Sequence, residues 1–157
     1  MKKDFDLITQ CTFNAPAETV WAVTVDVHAY PQWWPCMQNV RIQGDEDRLQ
    51  RHSNIHYRIK GFLPHALCFQ TYISECIPFS KIEMTVSGDL EGFGVSTLEE
   101  SDGSTRASFQ WDVSLSHPML KRLSQWPLFH RVFVLNHDFA MRYAVRNMRK
   151  RVDHVSA

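Results

Sequence analysis

The sequence predicts a two-layer α+β domain in which a curved, seven-stranded antiparallel sheet wraps around a long C-terminal helix. Three observations carry this. Residues 118–155 hold no glycine and only one proline after the opening Pro118, and their apolar residues recur every three to four positions. Residues 37–116 break into short alternating segments divided by turn residues. The chain, at 157 residues and 44% hydrophobic, is one domain's worth over 1–157 and long enough to bury a core.

The first strand is read over residues 5–13, where Phe5, Leu7, Cys11 and Phe13 share one phase of a period-two pattern. Asn14 follows as a helix N-cap, with Pro16 and Glu18 in the next turns, where a missing N–H costs nothing. That helix runs through Val20, Trp21, Val23 and Thr24 to about Asp26. YPQWWP at 30–35 cannot continue it and forms a tight aromatic elbow. Strands follow over 37–43, 54–60, 66–76, 81–87 and 95–99, separated by GDED, the Gly61–Pro64 turn, Pro78 and GDLEGFG at 88–94. The glycines of the last mark a hairpin or bulge. After SDGS at 101–104, residues 106–116 form the longest strand. Ala107, Phe109, Trp111, Val113 and Leu115 lie on one face, and Ser108, Gln110, Asp112 and Ser114 on the other. A sheet with one covered and one wet face requires that alternation.

A short helix spans 118–125, with proline at its first position. A longer one runs from Pro127 to about Asp153. At about 100° per residue, one face collects His130, Phe133, Val134, His137, Ala140, Met141, Ala144, Met148 and Val152. The opposite edge collects Arg131, Asp138, Arg142, Arg149 and Asp153. Leu128, Val132, Leu135, Phe139 and Tyr143 form a second apolar stripe facing away from His137. A helix on a sheet needs one apolar face, so the second stripe reads as a contact surface. Two-fold symmetry being the commonest closed arrangement, it predicts a homodimer that buries Leu135 and Phe139.

Acidic and basic residues cancel at 17 each, and a pI near 7.1 gives no electrostatic case for nucleic acid or an anionic membrane. RNMRKR at 146–151 is the one basic cluster, and cations at a helix C-terminus complement the dipole. No run of 18 apolar residues exists to span a membrane, and MKKDFDLITQ lacks the apolar core of a secretion signal. Cys11, Cys36, Cys68 and Cys76 show neither CxxC nor zinc spacing. Reduced thiols in a cytoplasmic protein are expected.

APAETVWAVTVDVHAYPQWWP at 15–35 resembles the first helix and aromatic elbow of the START/Bet v 1-like (SRPBCC) superfamily, with its polyketide-cyclase and ubiquinone-binding branches. GDLEGFG at 88–94, FQWDVSL at 109–115 and NHDFAM at 136–141 are similar to one bacterial branch. The resemblance implies a helix-grip fold with a ligand cavity between the sheet and the C-terminal helix. The glycine-rich, phosphate-loop-like pattern of the plant pathogenesis-related branch is missing, so nucleotide chemistry is not implied.

His137 lies mid-helix on the inward face and His130 two turns earlier. Imidazole there can donate to a ligand oxygen or move a proton near neutral pH. A partner for it is harder to find. Asp112 falls on the outward phase of its strand, and Asp89 and Glu91 sit in a glycine turn where acids are common anyway. His52 and His56 would lie about 13 Å apart on a strand, so no metal site is expected, and no cofactor. Trp33, Trp34, Phe69, Tyr72, Phe109, Trp111, Phe133, Met141 and Met148 exceed what one small core needs. Together they suggest an apolar pocket with few polar groups. The candidate ligand-binding set is Trp34, Phe109, Trp111, His130, Phe133, His137, Met141, Ala144 and Met148. Carriage of a small hydrophobic ligand (a lipid, quinone or polyketide-like aromatic) fits best. An enzyme of cyclase or dehydratase type using His137 as acid/base is the alternative, and a protein-partner module the third.

Overall fold

The computed structural model describes residues 4–156. Seven strands form one antiparallel sheet: β1 Phe5–Phe13, β2 Met37–Ile42, β3 Asn54–Ile59, β4 Leu67–Ile77, β5 Lys81–Gly88, β6 Leu90–Ser101 and β7 Ser104–Leu115. Their order is β1-β7-β6-β5-β4-β3-β2, a meander closed at one edge by the N-terminal strand. Between β1 and β2 stand α1 Ala17–Val25, a 3-10 turn Val27–Ala29 and the one-turn α2 Tyr30–Trp33. After β7 come α3 Pro118–Ser124 and α4 Pro127–Ser156, the latter spanning 30 residues. This is the helix-grip α+β architecture: a curled sheet holding its terminal helix.

Alternation decides which face is inside. In β1, Phe5, Leu7, Cys11 and Phe13 are buried and the residues between them face out. In β7, Ala107, Val113 and Leu115 are buried, whereas Gln110 and Asp112 are exposed. The register pairs Leu7 with Trp111 and Cys11 with Ala107, so inward residues meet inward residues. Shifts in pairing near Ile73 and near Met37 bend the sheet, as bulges do. On α4, Phe133, Ala140, Ala144, Met148 and Val152 are buried.

Three local readings are corrected. Asn14 does not cap α1; Pro16 occupies the N-cap position in extended conformation, with no side-chain cap. A proline there already lacks its own N–H and fixes φ, so the helix starts without a polar cap. The glycine-rich stretch 88–94 is mostly strand: the turn lies at Gly88 and Asp89, and β6 begins at Leu90. Gly92 has φ 149°, and a Cβ there would overlap the Asp112 carbonyl of β7. The glycine thus permits close strand approach and not reversal. Tyr72, grouped with the inward aromatics, is on the outer face, its hydroxyl 2.6 Å from His52 Nδ1.

The interior has two parts. One centres on Phe13, Val20, Val23, Leu98, Ala107, Met148 and Val152 under the C-terminal half of α4. The buried Thr105 hydroxyl donates to the Ala15 carbonyl at 2.7 Å beside it. The other part, around Phe5, Leu7, Ile55, Phe69, Ile73, Ile82 and Phe133, is larger and not filled.

Candidate functional site: a cavity under the terminal helix

Between the concave sheet face and the first two-thirds of α4 lies a cavity of about 180 Å³. Its floor is the inward row of consecutive strands: Tyr57 and Ile59 of β3, Phe69 of β4, Ile82 and Met84 of β5, Leu90 and Ser96 of β6, Phe109 and Trp111 of β7. Phe69 meets Trp111 edge-on at 5.7 Å and stacks on Tyr57 at 5.2 Å. Its roof is Phe133, His137, Met141, Ala144 and Met148, one stripe of α4. One wall is the elbow, where α2 ends as Trp34 turns extended (φ −115°, ψ 95°). The Trp34 indole N–H donates to the Ala140 carbonyl at 3.1 Å, so the elbow is tied to the middle of the helix.

The opposite wall is the β3–β4 connection. Gly61 and His65 line the cavity there, and His65 is the exposed member of the lining, which marks the mouth. The Leu63 amide donates to Asn136 Oδ1 at 3.2 Å. Gly61 lies so close to that side chain that a Cβ would overlap it. Glycine at 61 is what lets the loop press onto α4.

Polar groups in this shell are few. The Tyr30 hydroxyl donates to the Thr24 carbonyl, and burial, with Tyr57 close by, pushes its pKa up. Burial likewise pushes Tyr57 up to about 12, with the Thr71 hydroxyl beside it pulling the other way. Both phenols stay protonated. The Trp33 indole N–H is shielded from solvent and has no hydrogen-bond partner among the described residues. Burial lowers the pKa of His137 against a smaller opposing effect of Asp138, whose Oδ1 is 3.5 Å from Nδ1. A neutral imidazole at the cavity edge can donate or accept. Burial pushes the Cys11, Cys36 and Cys76 thiols up, away from the reactive thiolate.

Of the nine residues expected at the site, eight line the cavity: Trp34, Phe109, Trp111, Phe133, His137, Met141, Ala144 and Met148. His130 does not. It is exposed, stacks on Phe5 at 4.7 Å, and its Nε2 lies 3.2 Å from the Asp4 carbonyl oxygen. A helical wheel gives azimuth but not height, and at His130 the helix has passed beyond the cavity to the start of β1. Tyr30, Tyr57, His65 and Asn136 were missed. The Ile55-Tyr57-Ile59 alternation could have placed Tyr57; nothing local signals His65, and Asn136 is visible only as the first residue of NHDFAM, brought to the site by the loop's Gly61 and Leu63.

The sequence model of the family described as polyketide cyclase/dehydrase and lipid transport matches residues 8–155. The chain belongs to that family. Its fold is shared by Zhui aromatase/cyclase from Streptomyces sp. R1128, at TM-score 0.74 and 11% identity over 98% of this chain and 96% of the other. TTHA0849 from Thermus thermophilus superposes at 0.72 with 12% identity, over 98% and 100%. A START superfamily protein from Mycobacterium smegmatis gives 0.59 with 20% identity, over 87% and 97%. No curated protein sequence matches this one. At these identities the neighbours share the fold alone, and the family rests on the match over residues 8–155. No described helix is long and apolar enough to cross a membrane.

Proposed function

We propose that the chain binds, and carries, a small hydrophobic ligand whose ring fills the cavity. The observation that supports this best is an aromatic-lined space of about 180 Å³ whose shell also holds an unpartnered indole N–H. Empty apolar cavities of about 150 Å³ take up benzene. One ring with a substituent therefore fits here, and a longer chain must leave through the mouth beside His65. A phenol, a quinone head or one ring of a polyketide-like aromatic meets these terms. Trp33 and His137 are the groups that would hold its oxygens. The expected location is the cytoplasm.

Calorimetric titration with a series of 4-alkylphenols tests the reading. Affinity should rise about fourfold per added methylene, the equivalent of about 0.8 kcal/mol, and level off once the tail reaches solvent. Ala144→Trp or Met141→Trp, which fill the space, should weaken binding more than about tenfold. Unaltered affinity in folded variants would remove the cavity from consideration.

A second reading rests on the same imidazole. Held neutral by burial, His137 is able to accept a proton from a bound polyketide-like ring, as a cyclase or dehydratase requires. In that case His137→Ala abolishes turnover while affinity stays within about tenfold; if His137 only bonds the ligand, affinity falls and no turnover exists to lose.

A further inference from the structure

The outer face of α4 is described by neither the cavity nor the core. Leu128, Arg131, Leu135, Phe139, Arg142 and Arg146 recur along it at spacings of three and four, and all are exposed, with one exposed acid, Asp138, among the three arginines. Leu128 is 73% and Leu135 59% accessible, and Trp126, just before the helix, is 67%. The stripe does not end at the helix. Phe62, 51% accessible, packs edge-on against Phe139 at 5.6 Å from the same loop that supplies Gly61 and His65 to the cavity. An open apolar surface thus runs up to the cavity mouth.

Charge decides what covers it. The neutrality of the whole chain conceals a division. Residues 118–157 hold eight Lys/Arg against two Asp/Glu, which leaves nine against fifteen in residues 1–117. The helical layer is strongly cationic and the sheet layer anionic, so net charge is a poor guide to this face. A two-fold dimer through Leu135 and Phe139 would set the patch against itself, three arginines of one copy against three of the other with a single Asp138 on each to offset them. Apolar and aromatic residues interleaved with arginines suit an anionic lipid surface instead. There guanidinium groups meet phosphates, side chains such as Leu128 enter the acyl boundary and an exposed tryptophan sits at headgroup depth.

We propose that this face docks on an anionic bilayer, with Leu128 and Leu135 at the acyl boundary, Trp126 at headgroup depth and Arg131, Arg142 and Arg146 on lipid phosphates. The mouth beside Phe62 and His65 then opens against the membrane. The docking surface stands on its own residues; that the cavity loads an apolar ligand from the bilayer rests on the function proposed above.

Co-sedimentation of the full chain with vesicles tests it, comparing phosphatidylcholine alone with mixtures containing about one-third phosphatidylglycerol. The protein should pellet with the anionic vesicles at low salt and be released at high salt. Arg142→Gln/Arg146→Gln should lower the partition coefficient about thirtyfold, at roughly fivefold per cation near the surface. Leu128→Glu/Leu135→Glu should abolish binding while circular dichroism stays native. Ala144→Trp should pellet like the wild type even though its cavity is filled, which separates failure of docking from failure of the ligand reading. Wild type left in the supernatant at low salt overturns the proposal. So does binding that neither double variant weakens, or a stable dimer by light scattering that ignores vesicles.

Discussion

The two ends of α4 lie on one sheet and do opposite things. Toward its C-terminus, Met148 and Val152 pack with Phe13, Val20, Leu98 and Ala107 into a filled interior. Toward its N-terminus, Phe133, His137 and Met141 roof a cavity, and the outward side is left open at Leu128 and Leu135. The residue types differ to match. The filled end is mostly aliphatic around Phe13, with Trp21, Trp33 and Phe109 packed at its margin; the hollow end brings in two phenols and an imidazole. Close packing makes each filled-end side chain costly to lose, whereas a wall that already borders empty space has fewer contacts to forfeit. Stability and binding thus grade into one another along one helix, with Met148 shared between the filled interior and the cavity roof.

Phe13→Ala should give the largest effect, a loss of about 3–5 kcal/mol in urea unfolding, with alkylphenol affinity retained in the folded fraction. A cost under about 1 kcal/mol would mean that the filled end is not well packed. Thr105→Val comes next. Its hydroxyl is fully buried and satisfies the Ala15 carbonyl, so its removal should cost about 1–3 kcal/mol by the same assay. At the hollow end, Phe69→Leu should cost only about 1 kcal/mol, less than Phe13→Leu at the filled end, and should shift the preferred alkylphenol toward bulkier rings. Equal penalties for Phe69→Leu and Phe13→Leu would erase the distinction.

The smallest effect is a pH dependence. Burial holds the folded-state pKa of His137 below that of the unfolded chain, so the unfolded chain takes up the proton first. Stability should therefore decline as pH falls below the usual histidine value, and stop declining once the lowered folded value is passed. His137→Gln should flatten that segment of the profile. A wild-type curve already flat there would show that the ring protonates without penalty.

The sequence carries the filled end more openly than the hollow one. Alternation in β1 and β7 and the Ala140-Ala144-Met148-Val152 row of α4 are periodic, and periodicity reports burial. A cavity wall obeys the same periodicity, so Phe133 and Met141 are placed inward by their period, while the space beside them is signalled only by the surplus of large side chains and the family resemblance. What stayed hidden depends on approach between distant segments. Gly61 touches Asn136 across 75 positions, and Gly92 reads as a turn until β7 is seen pressed against it. His130 shows the converse: its phase was right and its height was not.

The pairing of β1 with β7 has a consequence for synthesis. Phe5 is partnered by Val113 and Phe13 by Thr105, so the first strand to leave the ribosome is among the last to find its neighbour. Until about three quarters of the chain has emerged, at roughly 5–20 residues per second, Phe5, Leu7 and Phe13 have no sheet to join. The β2–β6 meander can assemble meanwhile from neighbouring hairpins, but the nascent N-terminus remains a sticky, unpaired strand for several seconds. Such a strand suits a holding chaperone, and in a copy of the gene with β1 moved to follow α4 the partner β7 would already be made when β1 emerged, so the wait would be removed.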